Sequence, residues 1–266
     1  MKRTITINSN ELEQSIETKN ILKDKFIQNG FDVSDDITPD TELIVSIGGD
    51  GSFLKTARDF NFVDIPIVGI NTGHLGFFAE ISPHMIDEFI DIYINGDFVK
   101  EDISLLHAII KTRDSVYTKL AVNEVVVKSD KSRVIHLALQ FDDRLIQNFS
   151  GDGMLICTST GSTAYNYSAG GSIVDTSLDV IQVTPLQPIN NNAYRCFTSS
   201  IVAASDSIIN ISPEQTYEDS TLIVVDGIEY RFIGVEKIEL SLHPKKISLI
   251  RMLDYEFWKM VAEKFL

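Results

Sequence analysis

The chain has 266 residues, 44% of them hydrophobic, which is enough for one large domain or two smaller ones with real cores. Its formal net charge of −15 at pH 7 disfavours binding to nucleic acid or to an anionic membrane, because both require a basic surface. No segment approaches the roughly 18 consecutive apolar residues of a membrane-spanning helix, and the first residues lack a signal-peptide core, so we expect a cytoplasmic protein.

The first hundred residues alternate between strand-like and helix-like segments. These segments are, in order, residues 2–7 (strand), 10–29 (helix), 43–47 (strand), 52–60 (helix), 65–70 (strand) and 83–95 (helix). The alternation predicts an α/β domain with a parallel sheet and right-handed crossovers. Ligands bind such sheets beyond the carboxyl ends of the strands.

After residue 100 the pattern changes to short runs rich in β-branched residues. They are residues 108–112, 121–128, 134–141, 154–158, 201–204, 207–211, 221–225, 230–233, 237–241 and 246–250. Turn pairs such as Asp142-Asp143 and Asp226-Gly227 separate several of them, so we predict an all-β sandwich. A helical tail, residues 254–265, is expected to pack back on the first domain. The predicted domains are therefore residues 1–100 with the tail 252–266, and residues 101–251.

Residues 48–51 read Gly-Gly-Asp-Gly and join a buried strand to a helix. Asp-Gly is a common turn pair, so a plain tight turn is the simpler interpretation. The strand–turn–helix context favours a phosphate-binding loop instead, because bare backbone N–H groups can surround an anion there. Asp50 would then orient or deprotonate a hydroxyl group beside a phosphate. Since a carboxylate repels phosphates unless a cation intervenes, this arrangement implies Mg²⁺.

Further candidate residues follow other predicted strands. His74 and Phe77 lie in a loop after the second buried strand and are candidates for a ligand site. The alternative is that His74 is a structural residue and that Phe77 fills the core. Asn123-Glu124 interrupts a β run, and such a pair can bind the vicinal hydroxyls of a ribose. The alternative is that the strand ends or bulges there with both side chains solvated.

A hydroxyl-rich segment forms the second strong feature. Gly151-Asp152-Gly153 precedes residues 158–165, which read Thr-Ser-Thr-Gly-Ser-Thr-Ala-Tyr. A polar loop ending in a helix cap would explain the composition. Alternatively, a nucleoside base stacks on Tyr165 while the backbone reads its edge. Cys157 lies in an apolar run, which predicts a buried thiol with no role in a site. The histidines lack the spacing of zinc motifs, so no zinc site is predicted.

Taken together, these motifs resemble those of the NAD kinase family. That family combines Gly-Gly-Asp-Gly, an Asn-Glu pair and a Thr-Pro-Thr-Gly-Ser-Thr-Ala-Tyr segment in this order. The resemblance implies transfer of a phosphoryl group from ATP or polyphosphate to the adenosine 2′-hydroxyl of NAD, with Mg²⁺ or another divalent cation and no tightly bound prosthetic group. It also implies a homodimer or homotetramer, with the donor bound by the first domain and NAD by the second, whose β-sandwich forms the subunit contacts.

The resemblance also assigns roles to individual residues. Asp50 matches the catalytic aspartate, and Tyr194 matches a residue that reaches the site from a neighbouring subunit. The substrate-binding positions that it implies are Gly49, Gly51, His74, Phe77, Asn123, Glu124, Asp152, Thr163, Ala164, Tyr165, Ser168, Tyr194 and Asp226.

Three serines depart from the family pattern. Ser52 stands where threonine is usual, Ser159 replaces the proline of the third motif, and Ser150 stands where arginine is frequent. The last change leaves open which basic groups balance the phosphate charge. Two other functions remain open from the sequence: a lipid kinase of the diacylglycerol or sphingosine type, which shares Gly-Gly-Asp-Gly, and a non-catalytic sensor of NAD or NADP.

Overall fold

A computed structural model of the chain describes residues 3–190, 195–214 and 220–266. The chain divides into two compact units. The first comprises Met1–Ile103 with Lys246–Leu266, and the second comprises Ser104–Lys245. The functional roles of the two parts stay a prediction.

The helices and strands follow in chain order. Up to residue 112 they are β1 (Thr4–Ser9), α1 (Glu13–Gln28), β2 (Asp32–Ser34), β3 (Thr41–Ile47), α2 (Asp50–Asp59), β4 (Ile67–Ile70), β5 (Ala79–Ile81), a 3₁₀ turn (Pro83–Met85), α3 (Ile86–Asn95) and β6 (Val99–Thr112). From residue 116 they are β7 (Val116–Ala121), β8 (Glu124–Ser129), β9 (Ile135–Phe141), β10 (Arg144–Gly151), β11 (Gly153–Thr158), a 3₁₀ turn (Thr160–Thr163), α4 (Tyr165–Ser168), β12 (Val180–Leu186), β13 (Ile201–Ala204), β14 (Ile209–Pro213), β15 (Thr221–Val225), β16 (Ile228–Phe232), β17 (Val235–Arg251) and α5 (Phe257–Phe265).

The first unit contains the predicted parallel sheet. Its strands lie in the order β2-β1-β3-β4, and β5 also pairs with β4 in parallel. β3 and β4 are mostly apolar and largely buried, as expected for strands covered on both faces. Helix α3 ends at Gly96, whose left-handed conformation (φ 79°) glycine adopts without strain. The prediction of an α/β amino-terminal domain is confirmed.

Helix α5 belongs to this unit, although it ends the chain. Its buried residues are Phe257 and Met260, and the Phe257 ring lies 6.0 Å from that of Phe77. The prediction that the tail packs back on the first domain is therefore confirmed. Among the described residues, none of the helices has the length and apolar character needed to cross a bilayer.

The second unit is the predicted all-β sandwich. One sheet has the antiparallel order β13-β12-β11-β8-β15-β16, and the facing strands include β9, β10 and β14. Val125 and Ile156 from the first set and Leu137 and Ile211 from the second share one buried core. Asp142-Asp143 and Asp226-Gly227 form the predicted hairpin turns with positive φ angles. Cys157 is fully buried and unpaired, as predicted.

Candidate active site

The Gly-Gly-Asp-Gly segment forms a tight connection between β3 and α2. Gly48 has φ 141°, and a Cβ there would lie 2.1 Å from Ser52 Oγ, so only glycine fits. Its N–H donates to the carbonyl of Ile70 at 2.8 Å, which fixes the turn beside the end of β4. Gly49 is the N-cap of α2 and Asp50 is its first residue. At Gly49 and Gly51 the space that a Cβ would fill is open.

The carboxylate of Asp50 is held in one orientation by two backbone groups. Oδ2 accepts a hydrogen bond from Phe77 N at 3.0 Å, and Oδ1 accepts one from Phe78 N at 2.9 Å. The chain can approach this closely because residue 76 is glycine: a Cβ there would lie 2.2 Å from Asp50 Oδ1. The Asp50 side chain keeps 27% exposure, so the carboxylate is both fixed and accessible.

The structure gives different environments to the other candidates in this loop. His74 is exposed. The Phe77 ring is only 6% exposed and lies about 6 Å from the rings of both Phe257 (6.0 Å) and Phe265 (5.9 Å). The ring is therefore core, and what Phe77 offers to the site is its backbone N–H.

In the second unit, the Asn123-Glu124 pair lies where β7 has ended and β8 begins. The interpretation that the strand is interrupted here is correct, but its expectation of solvated side chains is wrong: Asn123 is 7% and Glu124 8% exposed. The reason is the carboxylate of Asp226. It accepts hydrogen bonds from the backbone N–H groups of Val122 (2.8 Å), Asn123 (2.8 Å) and Glu124 (3.1 Å), which turns this connection inward.

The buried pair carries polar atoms that lack partners among the described residues. These atoms are Asn123 Oδ1 and Glu124 Oε2. Burial, with a smaller contribution from the negative charge of Asp226, raises the pKa of Glu124 to about 8. Unpaired buried polar atoms are uncommon in folded proteins, and here they indicate a site for a polar ligand.

The hydroxyl-rich segment packs directly on this pair. Thr158 N donates to the Asn123 carbonyl at 3.0 Å, and Thr158 Oγ1 donates to the Val122 carbonyl at 2.7 Å. A Cβ on Gly161 would lie 2.1 Å from the Asn123 carbonyl oxygen, so the close approach needs glycine. Ser159, which replaces the family's proline, donates its hydroxyl to the Leu178 carbonyl and so secures the loop by a hydrogen bond instead.

A cavity of about 890 Å³ in the second unit brings together more of the predicted residues. Asp152, Tyr165 and Ser168 line it, and Tyr165 is 46% exposed, as a stacking residue needs to be. Thr163 and Ala164, just before Tyr165, are partly exposed. Tyr194 lies outside the described residues. Ser150 is buried, and its hydroxyl lies 2.8 Å from His136 Nδ1, so its side chain is hydrogen-bonded within the protein interior.

Sequence reasoning missed the basic residues of both units. The cavity is also lined by Lys128, Lys131, Arg133 and Arg231. In the first unit the ammonium group of Lys264 lies 3.3 Å from Asp50 Oδ2. In the sequence these basic residues are scattered among acidic ones, so no basic cluster identifies them. Across the part of the chain that the structure describes, no group of three or more His, Cys, Asp or Glu residues is arranged to hold a metal ion.

Comparison with known families accounts for nearly the whole chain. The sequence profile of the ATP-NAD kinase N-terminal domain matches residues 2–98, and that of the ATP-NAD kinase C-terminal domain matches residues 122–251. The chain is 40% identical over 268 aligned positions to an NAD kinase of Finegoldia magna, covering 99% of this chain and 98% of that protein. It is 30% identical to an NAD kinase of Staphylococcus saprophyticus, with 96% of each chain covered.

Two solved structures share the fold. Yeast NADH kinase, determined as a complex with NADH, superposes with a TM-score of 0.86 over 98% of this chain and 87% of its own, at 20% identity. An NAD kinase from Archaeoglobus fulgidus, determined as a complex with ATP, gives a TM-score of 0.74 over 98% of this chain and 99% of its own, at 22% identity. At these identities the likeness establishes the architecture.

Proposed function

Because the chain belongs to the NAD kinase family, we propose that it transfers the γ-phosphoryl group of ATP to the adenosine 2′-hydroxyl of NAD, giving NADP. The observation that carries this proposal is the fixed, accessible carboxylate of Asp50 beside glycines with open space above them. Phosphoryl transfer depends mainly on alignment and charge neutralisation, and a chain built this way can supply both.

Asp50 accepts the proton of the attacking hydroxyl. A ribose hydroxyl is a poor nucleophile at neutral pH, and a hydrogen-bonded carboxylate contributes about 10²–10⁴-fold to such a step. The backbone N–H groups of Phe77 and Phe78 keep the carboxylate in place, so that little reorganisation is needed when the hydroxyl arrives.

Asn123 and Glu124 bind the ribose hydroxyls in this proposal. With a pKa of about 8, Glu124 carries a proton at neutral pH, so its carboxyl group can donate one hydrogen bond as well as accept. The amide of Asn123 offers a donor and an acceptor beside it. The unpaired Asn123 Oδ1 and Glu124 Oε2 would thereby acquire partners. Tyr165, Asp152 and Ser168, which line the cavity, are available to the base and the second nucleoside.

In our proposal the divalent cation binds together with the phosphoryl donor, held mainly by the donor's phosphates. The chemistry of the described residues fits this arrangement, because Mg²⁺ is usually held by substrate phosphates with one or two carboxylates rather than by a protein cage. A bound cation would neutralise charge on the transferred group. Polyphosphate is an alternative donor, and parallel assays with ATP and polyphosphate, with and without EDTA, would distinguish the donors and reveal the cation requirement.

Replacing Asp50 by asparagine tests the proposed role. We expect D50N to keep NAD affinity within several-fold of wild type and to lose turnover by about two orders of magnitude or more, because the proton acceptor is gone while the side-chain shape remains. NADP formation is measured with an NADP-specific dehydrogenase, and NAD binding by calorimetry. Near-normal turnover in D50N would remove Asp50 from the catalytic role.

The two alternative functions predict different results in the same assays. Matches to both NAD kinase domains disfavour a lipid kinase, which would phosphorylate diacylglycerol with ATP and leave NAD unchanged. A sensor would bind NAD without forming NADP. We also propose a homodimer or homotetramer in the cytoplasm, with Tyr194 completing the site of a neighbouring subunit. Solution mass at several concentrations tests the assembly, and microscopy of a fluorescent fusion tests the location.

A further inference from the structure

The last turn of the carboxy-terminal helix places a cation on the proposed catalytic carboxylate. Lys264 Nζ lies 3.3 Å from Asp50 Oδ2 and donates a hydrogen bond to the carbonyl of Leu75 at 3.1 Å. It also lies 5.1 Å from the centroid of the Phe77 ring, within the range of a cation–π contact. These contacts all come from the loop and turn that hold Asp50.

Packing of helix α5 explains why the lysine reaches this position. The rings of Phe257 and Phe265, at the two ends of the helix, lie on either side of Lys264 in sequence and both contact Phe77. The side chain of Lys264 is 33% exposed. An isolated ion pair at this exposure contributes little to stability. What distinguishes Lys264 is that its ammonium group contacts both the proposed catalytic carboxylate and the loop that holds it.

The two oxygens of the Asp50 carboxylate differ in how many donors they have among the described residues. An ionised carboxylate offers about four lone-pair positions, two on each oxygen. Oδ2 accepts from Phe77 N and from Lys264, whereas Oδ1 accepts from Phe78 N. Oδ1 therefore has one donor fewer than Oδ2 among the described residues, and the ammonium group on Oδ2 favours Oδ1 as the acceptor for an incoming hydroxyl.

Charge gives the lysine a second effect on the same carboxylate. Asp50 is surrounded by glycines that are expected to face phosphates, and an unbalanced carboxylate would repel them. The ammonium group offsets this charge at 3.3 Å without entering the open space at Gly49 and Gly51.

We propose that Lys264 is a positioning residue for phosphoryl transfer, which orients and charge-balances Asp50 from the carboxy-terminal helix. This inference rests on the proposed function and adds the end of the chain to the active site. Lys264 acts through Asp50, so its effect should appear in turnover and should vanish when Asp50 is no longer a carboxylate.

The test compares K264M, K264R and K259M with wild type in steady-state NAD kinase assays. Methionine keeps most of the apolar stem of the lysine and removes the charge. We expect kcat to fall about tenfold or more in K264M while KM for NAD changes less than about threefold, and K264R to recover kcat to within about threefold of wild type. Lys259, exposed on the same helix, is the matched control, and K259M should keep wild-type kinetics.

A double mutant tests whether the lysine acts through the carboxylate. In the D50N background, adding K264M should change the residual rate less than about twofold, whereas independent effects would multiply. Thermal midpoints of all variants show whether they are folded, and K264Q replaces K264M if the latter is not.

Each outcome distinguishes the two proposals. If wild type forms no NADP, the proposed function is wrong and the role of Lys264 falls with it. If wild type is active and K264M keeps its kcat or gains activity, or if K259M loses as much as K264M, the role of Lys264 is refuted while the proposed function stands. Full additivity with D50N would also refute it.

Discussion

The buried carboxyl group of Glu124 should make the stability of this protein depend on pH in a predictable direction. Its pKa is raised from 4.5 to about 8 in the folded protein, mainly by burial. Between these values the folded state holds a proton at this position that the unfolded state has released. Stability contributed by this group is therefore fully present below pH 4.5 and is lost as the pH rises toward 8.

The magnitude follows from the linkage relation. Where the two states differ by one proton, the free energy of unfolding falls by about 1.4 kcal/mol per pH unit. Between pH 5.5 and pH 7.5 this predicts a loss of about 2–3 kcal/mol in wild type that Glu124→Gln does not show, because glutamine has the same shape and does not titrate. Urea unfolding of both proteins at several pH values in this range measures the difference directly.

Other titrating groups are common to both proteins, so they cancel in the difference. Glu88→Gln, at an exposed position of α3, controls for the general loss of one carboxylate. A difference between wild type and E124Q that stays constant from pH 5.5 to 7.5, or that changes in the opposite direction, would show that Glu124 is charged in the folded protein. The proposed hydrogen-bond donor to the ribose would then be lost as well.

Two substitutions test how the loops hold the carboxylates. Gly76→Ala would place a Cβ 2.2 Å from Asp50 Oδ1, so we expect kcat to fall at least tenfold with the fold retained, whereas Gly73→Ala, whose nearest neighbour would be 3.9 Å away, should keep normal turnover in the same assay. Equal effects of the two alanines would contradict this reasoning. Asp226→Asn removes an acceptor for the N–H groups of residues 122–124, so we expect urea unfolding to show a loss of about 1–3 kcal/mol and calorimetry to show several-fold weaker NAD binding; unchanged values for both would rule out a positioning role.

Local sequence patterns were sufficient to predict most of the architecture. The apolar runs identify β3 and β4, and the glycine after α3 identifies the end of that helix, because these signals lie in neighbouring residues. The change in hydrophobic periodicity along the chain separates the α/β part from the β-rich part. Boundaries shifted where tertiary contacts decide them. The sequence predicts two strands within residues 237–250, but the structure has the single strand β17, which continues through the polar residues between them.

The candidate site was predictable only where its residues are close in sequence. Asp50, Asn123 and Glu124 stand in motifs with recognisable spacing. Lys264 is 214 residues from Asp50, and a lysine in the last turn of a helix is ordinarily explained by the helix dipole. The alternative interpretation, in which Asn123 and Glu124 are solvated, failed for a related reason: Asp226, more than a hundred residues away, supplies the acceptors that let the backbone turn inward (separations of 102 to 104 residues).

The strong negative charge of the chain makes local compensation of the carboxylates at the candidate site important. A protein with a net charge of −15 that binds anionic substrates must limit repulsion locally, since its overall field opposes their approach. Asp50 is compensated by two backbone N–H groups and an ammonium group, and Asp226 by three backbone N–H groups. Glu124 Oε2 has no hydrogen-bond donor among the described residues, and burial instead raises the pKa of this carboxyl group to about 8. If repulsion between Asp50 and the donor phosphates limits turnover, added salt should raise the kcat of K264M more than that of wild type. The reason is that mobile cations then replace the missing ammonium group.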